Sequence, residues 1–446
     1  MNRHDNINKQ YDIAISNAYL LTLDHEWKEY KPGLVLIRGG YIEYAGPQVE
    51  HTSFQAKEAI DAKGDIVMPS FFNGHTHSAM SIFRGLGNDL PLDNWLNEHI
   101  WPAEARYTNE QNVFLGSMVS AIEMIRSGTG IFADMYFFQE ETIRACEELG
   151  IRIIAGEGIL DFPTPNKKSP REGLKYTENL VNKYKGHPLL EFSLPAHSPY
   201  TCSPEVIREV GELSHRLGIT ATVHLAETEW EVEEMKRRYG KSSTQFLYDN
   251  GFFKSRTVAY HCNHISADDM LTLRDNKAGI VTNPRSNMKL GSGLCPLPVL
   301  RSMGITVGIG TDGAASNNNQ DVLSDMQLLA RIYKMNELDP TVIRSREALR
   351  MAISNNCLIY GMDNRLGSIE AGKLADLIII DTDQPHWQPL YDPYSHVCYT
   401  MQPGDVSTTI INGQIIMKDR EILTLDEERV KSDISELGKE IFSQPG

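Results

Sequence analysis

The chain has 446 residues, of which 41% are hydrophobic, and a formal charge of −16 at pH 7. That leaves room for one large domain and a smaller one, with a core that needs no disulfide staples. The acidic balance argues against a nucleic-acid partner and against an anionic membrane surface.

The opening "MNRHDNINKQYD" is polar, and no apolar stretch follows it, so no secretory leader is expected. No run approaches the roughly 18 apolar residues of a spanning helix. Cys146, Cys202, Cys262, Cys295, Cys357 and Cys398 are scattered with no CxxC pair. Reduced thiols and a cytoplasmic location are the expectation.

Residues 1–65 read as β. "YDIAISNAYLLTLD" and "GLVLIRGGYIEYAG" are short alternating runs joined by glycine-rich turns. Residues 367–446 read the same way, with "ADLIIIDTD" and "STTIINGQIIMKDREIL", the latter turning at Asn412-Gly413. The two ends are expected to be halves of one small β-sandwich domain. Between them, residues 66–366 alternate. Eight apolar runs recur: "DIVMPSFFNGH", "TGIFADMYF", "IRIIAGEG", "LEFSLPAHS", "ITATVHLAE", "TVAYHC", "GIVTNP" and "ITVGIGTDG". Most gaps hold helix-like segments such as "EQNVFLGSMVSAIEMIRSG". Eight such units predict an α/β fold, a TIM (β/α)8 barrel. The most loop-like insertion, residues 161–173, follows the third run.

Barrel enzymes keep their chemistry at the C-terminal ends of the strands. Here the first run ends at His75 and His77, the fourth at His197, the fifth at His224 and Glu227, the sixth at His261 and the eighth at Asp312. A single histidine near a strand end is ordinarily structural. Five of them with an Asp and a Glu on one rim are hard to produce by chance. His75 and His77, two residues apart, share one face of a strand. With His224 and Asp312 they make an N3O donor set for a divalent metal: Zn²⁺, or alternatively Fe²⁺ or Mn²⁺. Such an ion lowers the pKa of its water toward 7. Asp312 is near enough to hold that water's proton, and His261 to orient the water. Glu227 lies three residues after His224, so it reaches the pocket only if the strand ends and turns there. It would then be placed as a proton shuttle; otherwise it is a solvated residue of the next helix.

The motifs "GHTH", "HLAET", "AYHCNH" and "GIGTDGAASNN" resemble the amidohydrolase superfamily, and the end "GSIEAGKLAD" is similar to those common in it. "RGLGNDLPLDNWL", "WPAEARYT", "FADMYFF", "HSPYTCSPE" and "NPRSNMKLGSG" extend the resemblance to its 5-methylthioadenosine/S-adenosylhomocysteine deaminases. The resemblance implies one zinc on His75, His77, His224 and Asp312, and hydroxide attack on the amino-bearing carbon of a purine. Glu227 would protonate the adjacent ring nitrogen, with release of ammonia. It implies that His197 contacts the substrate and that Glu104 accepts a ribose hydroxyl. Binuclear relatives bridge two metals with a lysine on strand four; "EFSLPAHSPY" has none, so one metal is expected.

Where relatives that use S-adenosylhomocysteine carry an arginine after strand three, this chain has Glu157. A carboxylate there would repel a substrate carboxylate, with Arg171 as the one nearby substitute. That favours methylthioadenosine, adenosine or 5′-deoxyadenosine. The alternative is another N-heterocycle on the same scaffold: guanine, a pterin, cytosine or a triazine. A metal-free degenerate barrel or a plain metal carrier would not need all four ligands together with Glu227 and His261. Barrels of this type often form homo-oligomers. Phe83, Trp95, Trp101, Tyr136, Phe137 and Phe138 are as consistent with core as with a purine pocket, and His99, His264 and His396 carry no assigned role.

Overall fold

A computed structural model describes residues 10–48, 54–90 and 94–443. Each of the eight apolar runs contains a strand of one parallel sheet. In chain order these are β6 (Phe71–Thr76), β7 (Thr129–Asp134), β8 (Arg152–Ala155), β9 (Leu190–Ala196), β10 (Thr220–Leu225), β11 (Thr257–His261), β12 (Gly279–Thr282) and β13 (Val307–Ile309). They pair in sequence order, each with the next. This is a (β/α)8 barrel with helices outside.

Alternation divides each strand between two cores. Ile131, Ile154, Val258, Tyr260 and Val281 fill the barrel interior, while Phe132, Ile153, Ala259 and Ile280 pack outward with the surrounding helices. The seam between β6 and β13 is closed by side chains. Asn356 Nδ2 donates to the carbonyls of Phe72 at 2.7 Å and Ile309 at 2.8 Å. Gly74 and Gly308 make room for it, since a Cβ on either would stand 2.7 or 1.7 Å from Asn356 Oδ1. Asn73 completes the seam, exchanging hydrogen bonds with the Thr311 hydroxyl (2.7 Å) and backbone N–H (3.0 Å).

The chain ends do come together. They form one mixed sheet of nine strands: β1 (Gln10–Leu21), β2 (Glu29–Arg38), β3 (Tyr41–Pro47), β4 (Gln55–Asp61), β5 (Ile66–Pro69), β14 (Leu377–Ile380), β15 (Val406–Ile411), β16 (Gln414–Lys418) and β17 (Glu421–Ile422). The first apolar run is split between the two sheets. Ile66–Pro69 pairs with β1 and β14, and Ser70 alone separates it from the barrel. Arg152 at the base of β8 makes a buried two-point ion pair with Asp376, at 2.8 and 3.0 Å, and so ties barrel to sheet.

The C-terminal segment is not all β. Its last element is a helix, Glu427–Ser443, whose Ile434, Leu437 and Ile441 recur at helical spacing; it packs beside the helix Glu110–Arg126 and the Ser78–Phe83 turn. Among the described residues, no helix is long and apolar enough to cross a membrane.

Asn356→Ala would leave two buried seam carbonyls without donors. It should lower the stability of the metal-loaded protein by about 2–3 kcal/mol, read as a fall in Tm.

Candidate active site

The rim residues converge. His75 Nε2 lies 3.2 Å from His224 Nε2 and 3.5 Å from Asp312 Oδ1, and His77 Nε2 lies 3.2 Å from the same oxygen. Ligands held at about 2.0–2.1 Å around a tetrahedral ion stand about 3.3–3.4 Å apart. Those three distances match that spacing; His75, His77 and Asp312 form one group of donors and His75, His224 and His261 another, the two sharing His75 and each close enough to hold a metal ion.

Tautomers fit as well. His224 Nδ1–H donates to the His197 carbonyl at 2.7 Å, and His77 Nδ1–H donates to that of Met135. Each Nε2 is left with a lone pair facing the cluster. His75 is fixed by stacking on Tyr260, ring centroids 3.7 Å apart, and its Nδ1 is buried without a partner. Burial lowers His75 to about 3 and holds His224 well below the usual imidazole value, so both imidazoles are neutral. Burial also opposes charge on His77, but Asp312 outweighs it and raises His77 to about 9. A cation held by His77 and Asp312 would take the place of that proton. Burial would raise Asp312, yet the hydrogen bonds from His75 and His77 prevail, and its carboxylate sits well below the usual range.

Asp312 has divided duties. Oδ1 faces the imidazoles, while Oδ2 accepts from the hydroxyls of Ser286 at 2.6 Å and Ser316 at 2.9 Å. The backbone at Asp312 is left-handed, φ 64°, as it is at Ala226 (47°), His261 (64°) and Cys262 (54°). Four non-glycine residues in this sparsely populated region, all at strand ends of the site, mark a backbone bent to aim side chains.

The bend at Ala226 places Glu227. His224 faces into the barrel and Leu225 out, and the left-handed Ala226 returns Glu227 to the cavity. The turn is held from behind by Glu231, whose carboxylate accepts from the backbone N–H groups of Ala226 (2.8 Å) and Glu227 (3.1 Å) and from Ser243 Oγ (2.7 Å). Glu231 is one of several acids in its helix and is not among the residues the strand-end pattern singles out. The signal was the T-x-x-E spacing of Thr228 and Glu231 at a helix start. Glu227 Oε2 lies 3.8 Å from His261 Nε2, and burial raises its pKa above that of an ordinary glutamate. His261 Nδ1 bonds to Asn287 Oδ1 at 2.7 Å. Asn287 donates to Asn263 at 2.9 Å, and Asn263 donates to the Glu227 carbonyl at 3.0 Å. This asparagine chain, which the sequence did not reveal, locks Glu227 and His261 into one frame.

These residues open into a cavity of about 480 Å³. Glu104 and His197 line it, as do Trp95, Trp101, Tyr136 and Phe137. Phe83 is buried core, and neither it nor Phe138 lines the cavity. Glu104 Oε1 accepts from the Tyr136 hydroxyl at 2.7 Å, and burial pushes its carboxyl up to about 7. His197 is lowered to about 4 by burial, and its Nδ1 meets the Thr201 hydroxyl at 3.0 Å. Two expectations change. Glu157 does not face the cavity: along β8 and its extension, Ile154 points in, Ala155 out, and Gly158 lines the pocket, so Glu157 has outward parity. Arg171 is exposed and paired with Glu205 at 2.7 Å and Glu209 at 3.2 Å. Of the unassigned histidines, His264 bonds to the Ser292 carbonyl at 2.6 Å.

A barrel whose strand ends present this donor set belongs to a known class. The amidohydrolase family model matches residues 66–416, and the chain belongs to that family. It is 39% identical over 431 residues to a 5-methylthioadenosine/S-adenosylhomocysteine deaminase of Syntrophus aciditrophicus, covering 96% of this chain and 97% of the other. It is also 39% identical over 435 residues to a 5′-deoxyadenosine deaminase of Methanosarcina mazei, covering 97% and 99%. Among solved structures, an adenosine deaminase from Xanthomonas campestris with bound zinc superposes with a TM-score of 0.95 at 28% identity, over 98% of this chain and all of that one.

Two outcomes follow from the site. Ser286→Ala removes the shorter of the two hydroxyl bonds on Asp312 Oδ2 and should weaken zinc binding about 10- to 100-fold in a chelator competition. Burial pushes Glu231 from 4.5 up to about 7. The folded protein therefore holds that proton more tightly than the unfolded chain does. Its stabilising share is full below about pH 4.5 and is lost as pH rises through about 7. Glu231→Gln should flatten the decline in Tm between about pH 5 and pH 8.

Proposed function

We propose that the chain is a hydrolytic deaminase of adenosine-type nucleosides that replaces the purine 6-amino group with oxygen and releases ammonia. One observation carries the reading: Glu227, outside the proposed donor set, shares a nucleoside-sized cavity with His77, His224, Asp312 and Glu104. The relatives named for 5-methylthioadenosine, S-adenosylhomocysteine and 5′-deoxyadenosine support it across nearly the whole chain.

His75, His77, His224 and Asp312 would hold one zinc ion per subunit, and β9, with no lysine, offers no bridge to a second. When bound, the ion supplies water of lowered pKa next to the substrate. Glu227 carries the proton. Its raised pKa keeps the carboxyl protonated closer to neutral pH, where it can donate to the ring nitrogen beside the amino-bearing carbon. That carbon becomes electrophilic, accepts the water oxygen and expels the amine as ammonia. His261, its Nδ1 anchored on Asn287, directs Nε2 toward the reacting centre. Asp312 stays ionised and can take up the proton that the water loses. Glu104 receives a ribose hydroxyl on the oxygen that Tyr136 leaves free. His197 forms part of the wall beside His224. The six cysteines are free and buried, which accords with a reducing cytoplasm.

Ammonia release by zinc-quantified protein tests the reading. Methylthioadenosine, 5′-deoxyadenosine or adenosine should be turned over, and guanine, cytosine and triazines should not. Activity confined to the latter compounds would refute it. Glu227→Gln should keep its zinc and lose at least about 100-fold in kcat. His224→Ala should lose the metal itself, as measured by elemental analysis.

A further inference from the structure

The cavity wall farthest along the chain from the metal donors is built by one segment. After β8 the chain runs through Leu160, Phe162, Pro163, Thr164 and Pro165, all of which line the cavity. Phe162 meets the edge of Trp101, centroids 6.3 Å apart, and Trp101 stands one helical turn before Glu104. The wall therefore adjoins the residue assigned to the ribose. Among the described residues, no lysine or arginine lines the cavity.

Such a proline-rich segment has few backbone N–H groups with which to pair, so something else must hold it. Glu157 does so from the outward face of the strand. Its Oε1 accepts from Asn166 Nδ2 at 2.6 Å and lies 3.9 Å from Lys167 Nζ, while Oε2 accepts from the backbone N–H of Gln139 at 3.1 Å. Lys167 Nζ in turn sits 3.7 Å over the ring of Tyr176. Glu157 is buried, so this carboxylate has no solvent to satisfy it in place of these partners.

We propose that Glu157 is a positioning residue for substrate choice. Through Asn166 and Lys167 it sets the Phe162–Pro165 wall, and that apolar, cation-free wall accepts a short uncharged 5′ substituent and disfavours a 5′ amino-acid chain. The inference rests on the nucleoside-deaminase reading. A carboxylate brought against this wall would lose water without gaining a charged partner, whereas a methylthio group would gain apolar contact. Glu157 acts behind the wall, not by repelling substrate directly.

The test uses the zinc-loaded full chain with methylthioadenosine, adenosine and S-adenosylhomocysteine. Wild type should show its highest kcat/KM on methylthioadenosine and its lowest on S-adenosylhomocysteine. Glu157→Ala should raise KM for methylthioadenosine about tenfold with kcat little changed, and should narrow the gap to adenosine. Glu157→Gln, which keeps an acceptor oxygen, should recover much of the loss. Limited trypsin digestion read by mass spectrometry should show faster cleavage after Lys167 and Lys168 in Glu157→Ala. Should that variant fail to fold, Asn166→Ala severs the same contact and is expected to give the same shifts. Preference of the wild type for S-adenosylhomocysteine would overturn the proposal. So would unchanged KM ratios and unchanged cleavage in a folded Glu157→Ala or Asn166→Ala. Silence of the wild type on every adenosine compound would instead bring down the nucleoside reading and this inference with it.

Discussion

Two groups of donors share the buried His75, which stands with His77 and Asp312 on one side and with His224 and His261 on the other, each group close enough to hold a metal ion. Much of the rim is arranged around that constraint. Buried lone pairs that point at one another repel, and burial opposes the charges that would relieve them. The fold must hold them there. It does so with backbone carbonyls on the far nitrogens of His77 and His224, two serine hydroxyls on the far oxygen of Asp312, and an aromatic face on His75. Each anchor fixes one side of a donor side chain so that the other side is presented without choice of rotamer or tautomer.

The same logic reaches Glu227 and His261. Both must sit beside the donors without joining them, which is harder to arrange by strand alternation alone. The chain leaves regular β geometry at Ala226, His261 and Cys262, and left-handed backbone at non-glycine positions costs of order 1–3 kcal/mol each. Glu231 and the Asn263–Asn287 chain hold those bends. The barrel supplies rigidity at a distance. Asn356 locks the seam beside His75, and the Arg152–Asp376 pair fastens the barrel base to the flanking sheet.

Much of this was legible beforehand because it depends on period. Eight apolar runs became eight barrel strands, and the two-residue spacing of His75 and His77 placed both rings on one face. The same rule, applied to Glu157, would have turned it away from the substrate. Its position after the strand suggests the opposite, and the parity of Ile154, Ala155 and Gly158 shows which way it faces. The helical spacing of Ile434, Leu437 and Ile441 was also present in a segment read as β, because the strong strand pair before it dominated the reading. The hydrogen-bond partners could not be read at all. Ser286 and Ser316, Asn263 and Asn287, and Glu231 are polar residues of ordinary type, and nothing local separates them from loop residues.

By itself, then, the sequence determined the alternation that builds the barrel, the residue types at its strand ends, and hence the class of chemistry available there. Those are properties of near neighbours along the chain, set by a period of two and by the donor atoms of each side chain. Tertiary structure alone decided which oxygen of Asp312 faces the imidazoles, that Glu227 turns back into the cavity, that Glu157 sits behind the wall, and that no lysine or arginine among the described residues lines the pocket. Those outcomes depend on contacts between residues distant in sequence, such as Asp312 with His75 or Glu104 with Tyr136. Such contacts come into being only when the chain has closed on itself and water has left.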